Sequence, residues 1–431
     1  MENNSGRFWA LFPLMVFIVV YLGTSLLLND FYKMPILVAF LFSAIIGFLL
    51  YPKFTFHQKV EEFSKGAGDS GIMLMILIFL LAGAFAEVSK SMGAVQSTIN
   101  FALSYVSPSL LIGGLFLTAC FISLSLGTSV GTVVALAPIA AGINESVSGT
   151  LAVGLAAVVG GAMFGDNLSM ISDTTIAATR TQGVEMRAKF KVNFWIALPP
   201  SIITFLLYAF TTNLPAQSAA VYEYSFIKII PYLFIFIAAL LGMNVIWVLI
   251  SGIFLSMLIG FFVSDLTLWP MINALNTGMA SMFELSLTCI IIGGIVGMIR
   301  FYGGIDYILH HVSRHVKSRR GGELGIATLT ALVNATLANN TITILIVGPL
   351  AKNIADKNQI DPRRSASILD TISCFVQGLL PYGAQMLAAL AVANQLVGPF
   401  DIMAHLYYPY LLGLSTVVFI TVNNKFRPSQ N

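Results

Sequence analysis

Apolar residues along this chain fall in long runs rather than at the period of a one-faced surface helix. Phe8–Leu28, Pro35–Tyr51, Ile72–Ala86, Ile202–Phe210 and Leu411–Thr421 carry no charged residue. A helix needs about 20 such residues to cross roughly 30 Å of hydrocarbon, so the pattern predicts an all-α polytopic membrane protein. Two longer segments, Leu110–Gly142 and Glu323–Ala351, are interrupted by Gly127-Thr128-Ser129 and by Asn339-Asn340-Thr341. Each reads as a re-entrant helical hairpin or a pair of short helices. Irregular backbone at that depth is tolerated only where protein or a watery cavity satisfies it. Ala94–Tyr105 and Ile305–Lys317 read as helices along the interface, the second carrying His310, His311 and His315 as solvated residues.

Charge placement orients these elements, because short basic loops face the cytoplasm. The basic loops are Lys53–Lys65, Arg180–Lys191, Arg314–Arg320, Lys352–Arg364 and the tail with Lys425 and Arg427. The intervening loops, around Asn29–Lys33, Lys90–Ser107, Asn144–Thr150, Asn213–Tyr224, Ser264–Thr267 and Asn394–Asp401, are poorer in basic residues. One path satisfies both sets: about ten full crossings in the inner (plasma) membrane, with both termini cytoplasmic. Composition agrees, with 57% of residues hydrophobic and 10% charged, against about 25% charged in globular chains. Phe8–Leu28 reads as a retained helix, since no small-x-small cleavage pattern precedes Asp30. Cys120, Cys289 and Cys374 stand singly in apolar segments and read as packing residues.

The chain also repeats itself. Gly83 and Gly93 match Gly293 and Gly303 at an offset of 210, while Pro138, Ala140, Phe164 and Leu168 match Pro349, Ala351, Phe375 and Leu379 at 211. Thr128-Ser129 falls on Asn339-Asn340, Asp166 on Gln377 and Met170 on Pro381. Basic loops of one copy align with charge-poor loops of the other, which predicts two inverted repeats with broken transmembrane helices. The organisation expected is 1–65, two N-terminal helices; 66–212, the first repeat; 213–275, a linking helix pair; 276–400, the second repeat; and 401–431, a last helix and tail.

Candidate chemistry concentrates in Gly165-Asp166-Asn167-Leu168-Ser169-Met170-Ile171-Ser172-Asp173-Thr174-Thr175. A membrane acid costs about 2.5–3.5 kcal/mol on insertion scales and so asks for a reason. Two carboxylates among hydroxyls offer the hard oxygens that suit Na+, and Gly165 allows the backbone to unwind. The expected ion ligands are Asp166, Asn167, Ser169, Ser172, Asp173 and Thr174, with Thr128, Ser129, Asn339, Asn340 and Thr341 from the two interrupted segments. Na+ is placed at Asp173 and Asp166, with Asp173 preferred as the group shared with a proton because hydroxyls flank it. A plain helix cap is the competing reading of Asp173. Glu284 is a secondary candidate, Asp69 reads as a helix cap, and Asp370 is placed near the cytoplasmic rim.

The run resembles the motif G-D-x-L-S-P-x-S-D-T-T of the NhaC-type antiporters of the ion-transporter superfamily. Gly165, Asp166, Leu168, Ser169, Ser172, Asp173, Thr174 and Thr175 match, and Met170 replaces the proline. Gly127-Thr128-Ser129-x-Gly131-Thr132 resembles that family's first hairpin. The resemblance spans about residues 60 to 395 and implies a secondary transporter exchanging Na+ for H+. Asn339-Asn340-Thr341 resembles the hairpin tips of sodium-dicarboxylate carriers, and Gln377–Gln385 departs from the family's Pro-Trp segment. The alternative is therefore a Na+-coupled carrier of an amino acid or small carboxylate, with Gln377, Pro381, Tyr382 and Gln385 as solute ligands. The expected partners are Na+, H+ and lipid, with a homodimer as the candidate assembly and no nucleic acid. No cofactor is expected beyond the transported ion. Histidines are confined to His57, the interfacial helix and His405, which argues against an intramembrane enzyme.

Overall fold

Among the described residues, six stretches are long and apolar enough to cross a membrane, some of them built from two successive helices: Ser70–Ser91, Leu151–Gln182, Met186–Phe210, Val245–Val263, Leu268–Phe301 and Pro362–Ala391. They belong to a computed structural model that describes residues 6–24, 27, 34–105, 108–170, 172–211, 223–241, 243–313 and 318–422. Every regular element among the described residues is helical. The tail with Lys425 and Arg427, the loop Asn29–Lys33, most of Asn213–Tyr224, and His315 within the loop from Arg314 lie outside them.

The first half runs through α1 (Phe12–Ile18), α2 (Ile36–Leu49), α3 (Phe56–Ala67), α4 (Ser70–Ser91), α5 (Ala94–Tyr105), α6 (Pro108–Leu126), α7 (Ser129–Ser146), α8 (Leu151–Leu168), α9 (Asp173–Gln182) and α10 (Met186–Thr211). The second runs through α11 (Phe226–Leu240), α12 (Val245–Val263), α13 (Leu268–Ser281), α14 (Phe283–Phe301), α15 (Gly304–Ser313), α16 (Arg319–Leu337), α17 (Asn340–Lys357), α18 (Pro362–Leu379) and α19 (Ala384–Ala391). A short α20 (Pro399–Met403) and α21 (Tyr407–Val422) complete it.

Helix starts recur at one spacing. α7, α8 and α9 begin at Ser129, Leu151 and Asp173; α17, α18 and α19 begin 211 positions later, at Asn340, Pro362 and Ala384. Individual bonds recur with them. Ser123 Oγ donates to Ala162 O at 2.6 Å, and Asn334 Nδ2, at the equivalent position, donates to Ser373 O at 2.9 Å. Thr132 Oγ1 bonds Thr128 O at 2.8 Å, and Thr343 Oγ1 bonds Asn339 O at 2.7 Å. A looser correspondence takes in α1–α3 and α11–α13, whose starts lie 209–214 positions apart, beyond the repeat bounds expected from sequence.

The halves interleave rather than stand side by side. α3 packs on α14, and its counterpart α13 packs on α4. At the second crossing a Cβ on Gly83 would lie 2.2 Å from Gly278 O, and one on Gly278 would lie 2.1 Å from Gly83 O. Only paired glycines let two backbones come so close. Ala177 and Ala178 of α9 belong to the core of the second half, and Met386–Ala389 of α19 to that of the first.

Several placements correct the sequence pattern. Gly165 does not open the backbone: it lies inside α8 against Ser123, and the break falls after α8 ends at Leu168 and before α9 starts at Asp173. Lys189 and Arg364, counted in basic loops, are each 1% exposed. Arg364 forms a forked ion pair with Glu323, at 2.7 and 2.8 Å, beneath the Phe419 ring. Asp370, placed at the rim, is fully buried. Asp69, by contrast, caps α4 as expected from sequence, accepting from Gly71 N at 2.9 Å.

Candidate functional site

Four helix N-termini converge on the last turn of α8. Thr128 caps α7, Asn339 caps α17 and Ser172 caps α9, each accepting a backbone N–H with its own side chain. The fourth N-terminus belongs to α19, whose second residue is Gln385. The partial positive charge of helix N-termini favours an anion, and the side chain they surround is Asp166, 4% exposed.

Its carboxylate accepts from three segments of chain. Ser129 Oγ donates to Oδ2 at 2.9 Å and Asn340 Nδ2 to the same oxygen at 3.2 Å. Ser172 Oγ donates to Oδ1 at 2.8 Å, with Thr174 Oγ1 farther away at 3.4 Å. Thus the tips of both interrupted segments meet on one carboxylate, Ser129 from one half and Asn340 from the other. Gln385 Nε2 reaches Ser129 Oγ at 2.9 Å, and Gln377 Nε2 reaches Gln385 Oε1 at 2.9 Å. Hydrogen bonds to a charged group contribute about 1.5–3 kcal/mol each, so these neutral donors hold the anion without a counter-cation. Among the described residues no Lys or Arg pairs with Asp166.

Other expected ligands lie apart. Asp173 is exposed on the first turn of α9, turned away from the cluster, which corrects both its preference over Asp166 and the pairing of the two around one ion. The competing cap reading is also displaced, since Ser172 is the cap. Thr128 and Asn339 serve as caps, and Thr341 bonds Asn340 Oδ1 through its backbone N–H. Ser169 is buried at the end of α8. Tyr382 donates to Ala335 O at 2.5 Å and meets the edges of Phe17 and Phe40, a packing role beside the half-buried Pro381. Glu284 is exposed and lines a cavity of about 350 Å³ with Ser281, Thr288 and Asn394.

A second buried cluster adjoins the first through Asn167. Lys189 on α10 forms an ion pair with Asp370 on α18 and donates to Asn167 O at 3.0 Å and Thr175 Oγ1 at 2.8 Å. Asn193, one turn along α10, donates to Asn167 O at 3.0 Å and to Asp370 at 2.9 Å. These contacts tie the break between α8 and α9 to the middle of α18. Stranding either charge would cost about 3–5 kcal/mol. The sequence signal is Lys189 and Asn193 four apart on one face, each followed by a phenylalanine, Phe190 and Phe194.

Beside the second tip lies a cavity of about 180 Å³. Glu62, Lys65, Asp69 and Arg300 line one part of it, and Ala338, Asn339, Ile342 and Tyr382 another.

The model of the Na+/H+ antiporter family matches this chain twice, over residues 4–213 and 209–422. The Na(+)/H(+) antiporter NhaC of Alkalihalophilus pseudofirmus is 24% identical over 453 residues, covering 97% of this chain and 96% of the relative. An uncharacterized Na(+)/H(+) antiporter of Haemophilus influenzae is 24% identical over 438 residues, 91% of this chain and 92% of the relative. A malate-2H(+)/Na(+)-lactate antiporter of Bacillus subtilis is 27% identical over 202 residues, 47% of this chain and 43% of the relative.

Proposed function

The chain belongs to the Na+/H+ antiporter family, and on that premise we propose that it exchanges Na+ for H+ across the plasma membrane, with Asp166 as the group both occupy in turn. The observation that carries the reading is a buried carboxylate held by hydroxyl and amide donors with no cation paired to it. A lone charge in a membrane interior is expensive. Either a proton or a Na+ removes that cost, and one carboxylate takes one of them at a time. Competition for a single site is what couples the two fluxes. Ser129, Ser172 and Thr174 can turn hydroxyl oxygens to a cation, and Asn340 its Oδ1, which gives Na+ the hard shell it prefers. The Lys189–Asp370 pair is neutral as a unit, so Asp166 carries the net charge of the region.

We read α1–α10 and α11–α21 as two units of opposite orientation, both termini cytoplasmic. The double match to the family model and the recurrence of helix starts support this division. A second reading, a Na+-coupled carrier of a small carboxylate, draws on the cavity that brings Arg300 to the same space as Asn339.

Liposomes containing a pH dye decide between them. Addition of Na+ alone should alkalinise the interior of proteoliposomes, and no added carboxylate or amino acid should be required. A response that appears only with an organic solute would replace the antiporter by the carrier.

A further inference from the structure

Gln377 occupies, in the second half, the position that Asp166 holds in the first. Its amide is the hub of a hydrogen-bond chain that ends on the Asp166 carboxylate. Gln377 Nε2 donates to Ala338 O at 3.0 Å and to Gln385 Oε1 at 2.9 Å. Gln385 Nε2 donates to Ser129 Oγ at 2.9 Å, and Ser129 donates to Asp166 Oδ2 at 2.9 Å. Both ends of the chain, a backbone carbonyl and a carboxylate, can only accept, so the sense of every bond between them is set.

Two oddities sit at the far end. Gln377 Oε1 is buried without a partner, although buried acceptors are nearly always bonded. Ala338 has φ +48°, in the left-handed region, where the equivalent residue of the first half is Gly127 with φ +67°. A residue bearing a Cβ is disfavoured there and persists where surrounding contacts hold it. The bond from Gln377 to Ala338 O is such a contact, and Ala338 lies on the wall of the 180 Å³ cavity.

We propose that Gln385 and Gln377 are positioning residues that convey the occupancy of Asp166 to the Ala338 turn. The inference rests on the reading of Asp166 as the ion site. While the carboxylate is bare, the chain clamps Ala338 in its left-handed conformation. A Na+ between Asp166 and Ser129 takes the lone pair of Ser129 Oγ on that side, so the hydroxyl proton turns away from the cation and toward Gln385, its other hydrogen-bond neighbour. Gln385 must then present Oε1 to Ser129 and its Nε2 to Gln377. Gln377 can answer only with Oε1, which brings that oxygen to face the Ala338 carbonyl. Two acceptors repel, the clamp opens, and the tip between α16 and α17 relaxes at the cavity wall. Reversal also gives Gln377 Oε1 the donor it lacks. Gly127 carries no comparable strain, so the device works on one side of the molecule only.

The test places one reporter thiol on the cavity wall by Ile342→Cys, in a full-length protein with Cys120, Cys289 and Cys374 replaced by Ala. Maleimide labelling rate and melting temperature are followed with and without Na+. Na+ should change the labelling rate about tenfold in this parent, and less than about twofold in Gln377→Met and Gln385→Met. Both variants should keep the Na+-induced rise in melting temperature, because the ion ligands remain. Ala338→Gly, which removes the strain and leaves the chain intact, should also label at a rate insensitive to Na+; it decides the matter if a Met variant fails to fold. Na+-sensitive labelling that survives in these variants overturns the inference. Loss of Na+ stabilisation in the Met variants overturns it differently, making the glutamines ion ligands. A parent that Na+ neither stabilises nor alters in labelling would instead remove the reading of Asp166 on which the proposal rests.

Discussion

Exchanging the Asp166 carboxylate for an amide keeps its shape and most hydrogen-bonding capacity but deletes the one group able to take a proton or a cation. Asp166→Asn should therefore reduce Na+-driven alkalinisation to background and abolish stabilisation by Na+, since a ligand stabilises only a protein that binds it. Asp173→Asn, on the exposed first turn of α9, should retain transport within about twofold, as surface changes away from buried features do. Dye fluorescence in proteoliposomes and a melting curve for each variant check both. The reverse result would return the shared site to Asp173. The motif itself does not separate the two acids, because flanking hydroxyls serve equally as ligands and as caps. Burial separates them: Ser172 caps α9, so its neighbour Asp173 turns outward while Asp166, on the preceding helix, turns in.

At the scale of helices, the interleaving depends on two close crossings, α3 on α14 and α4 on α13. Gly278→Ala would set a Cβ about 2.1 Å from the Gly83 carbonyl oxygen, a distance no packing tolerates. The helices must separate, at a cost of about 1–3 kcal/mol typical of overpacking. The variant should melt several degrees below the parent in detergent. Gly114→Ala, which meets nothing within 4 Å, should leave the melting temperature unchanged. A melt for Gly278→Ala as high as that of Gly114→Ala would contradict the close crossing. Helix ends were the best-marked elements in the chain. The interruptions read at Gly127-Thr128-Ser129 and Asn339-Asn340-Thr341 are those observed, with Thr128 and Asn339 as the caps, whereas the cap of α9 is Ser172 and not the Asp173 that sequence offered. Gly165 misled because glycine permits two things, an open backbone and a close contact, and only its neighbour Ser123 decides which.

For the whole molecule, opposite orientation of the two halves is open to a direct check. A membrane-impermeant maleimide on intact cells should label Asn394→Cys and spare Arg187→Cys, in a background without native cysteines. Both positions are exposed, so lack of labelling reports sidedness rather than burial. Labelling of Arg187→Cys from outside would refute the orientation drawn from basic loops. Two of the cations in those basic segments, Lys189 and Arg364, neutralise buried acids instead of facing the cytoplasm.

The order of apolar runs by itself determined a membrane-spanning helical protein, and the spacing of Gly83, Pro138 and Phe164 with their partners determined that it is built twice. Both properties are linear, since hydrophobicity and repetition follow chain position. The tertiary structure decided what linear order cannot hold. Ser129 and Asn340 lie 211 positions apart and meet on one oxygen, because each opens a helix at the same junction. Lys189 and Asp370 look like a loop cation and a rim acid until helix packing brings them together. A charge or an amide acquires its role from the partner it faces, and that partner is set by how two similar halves interlock.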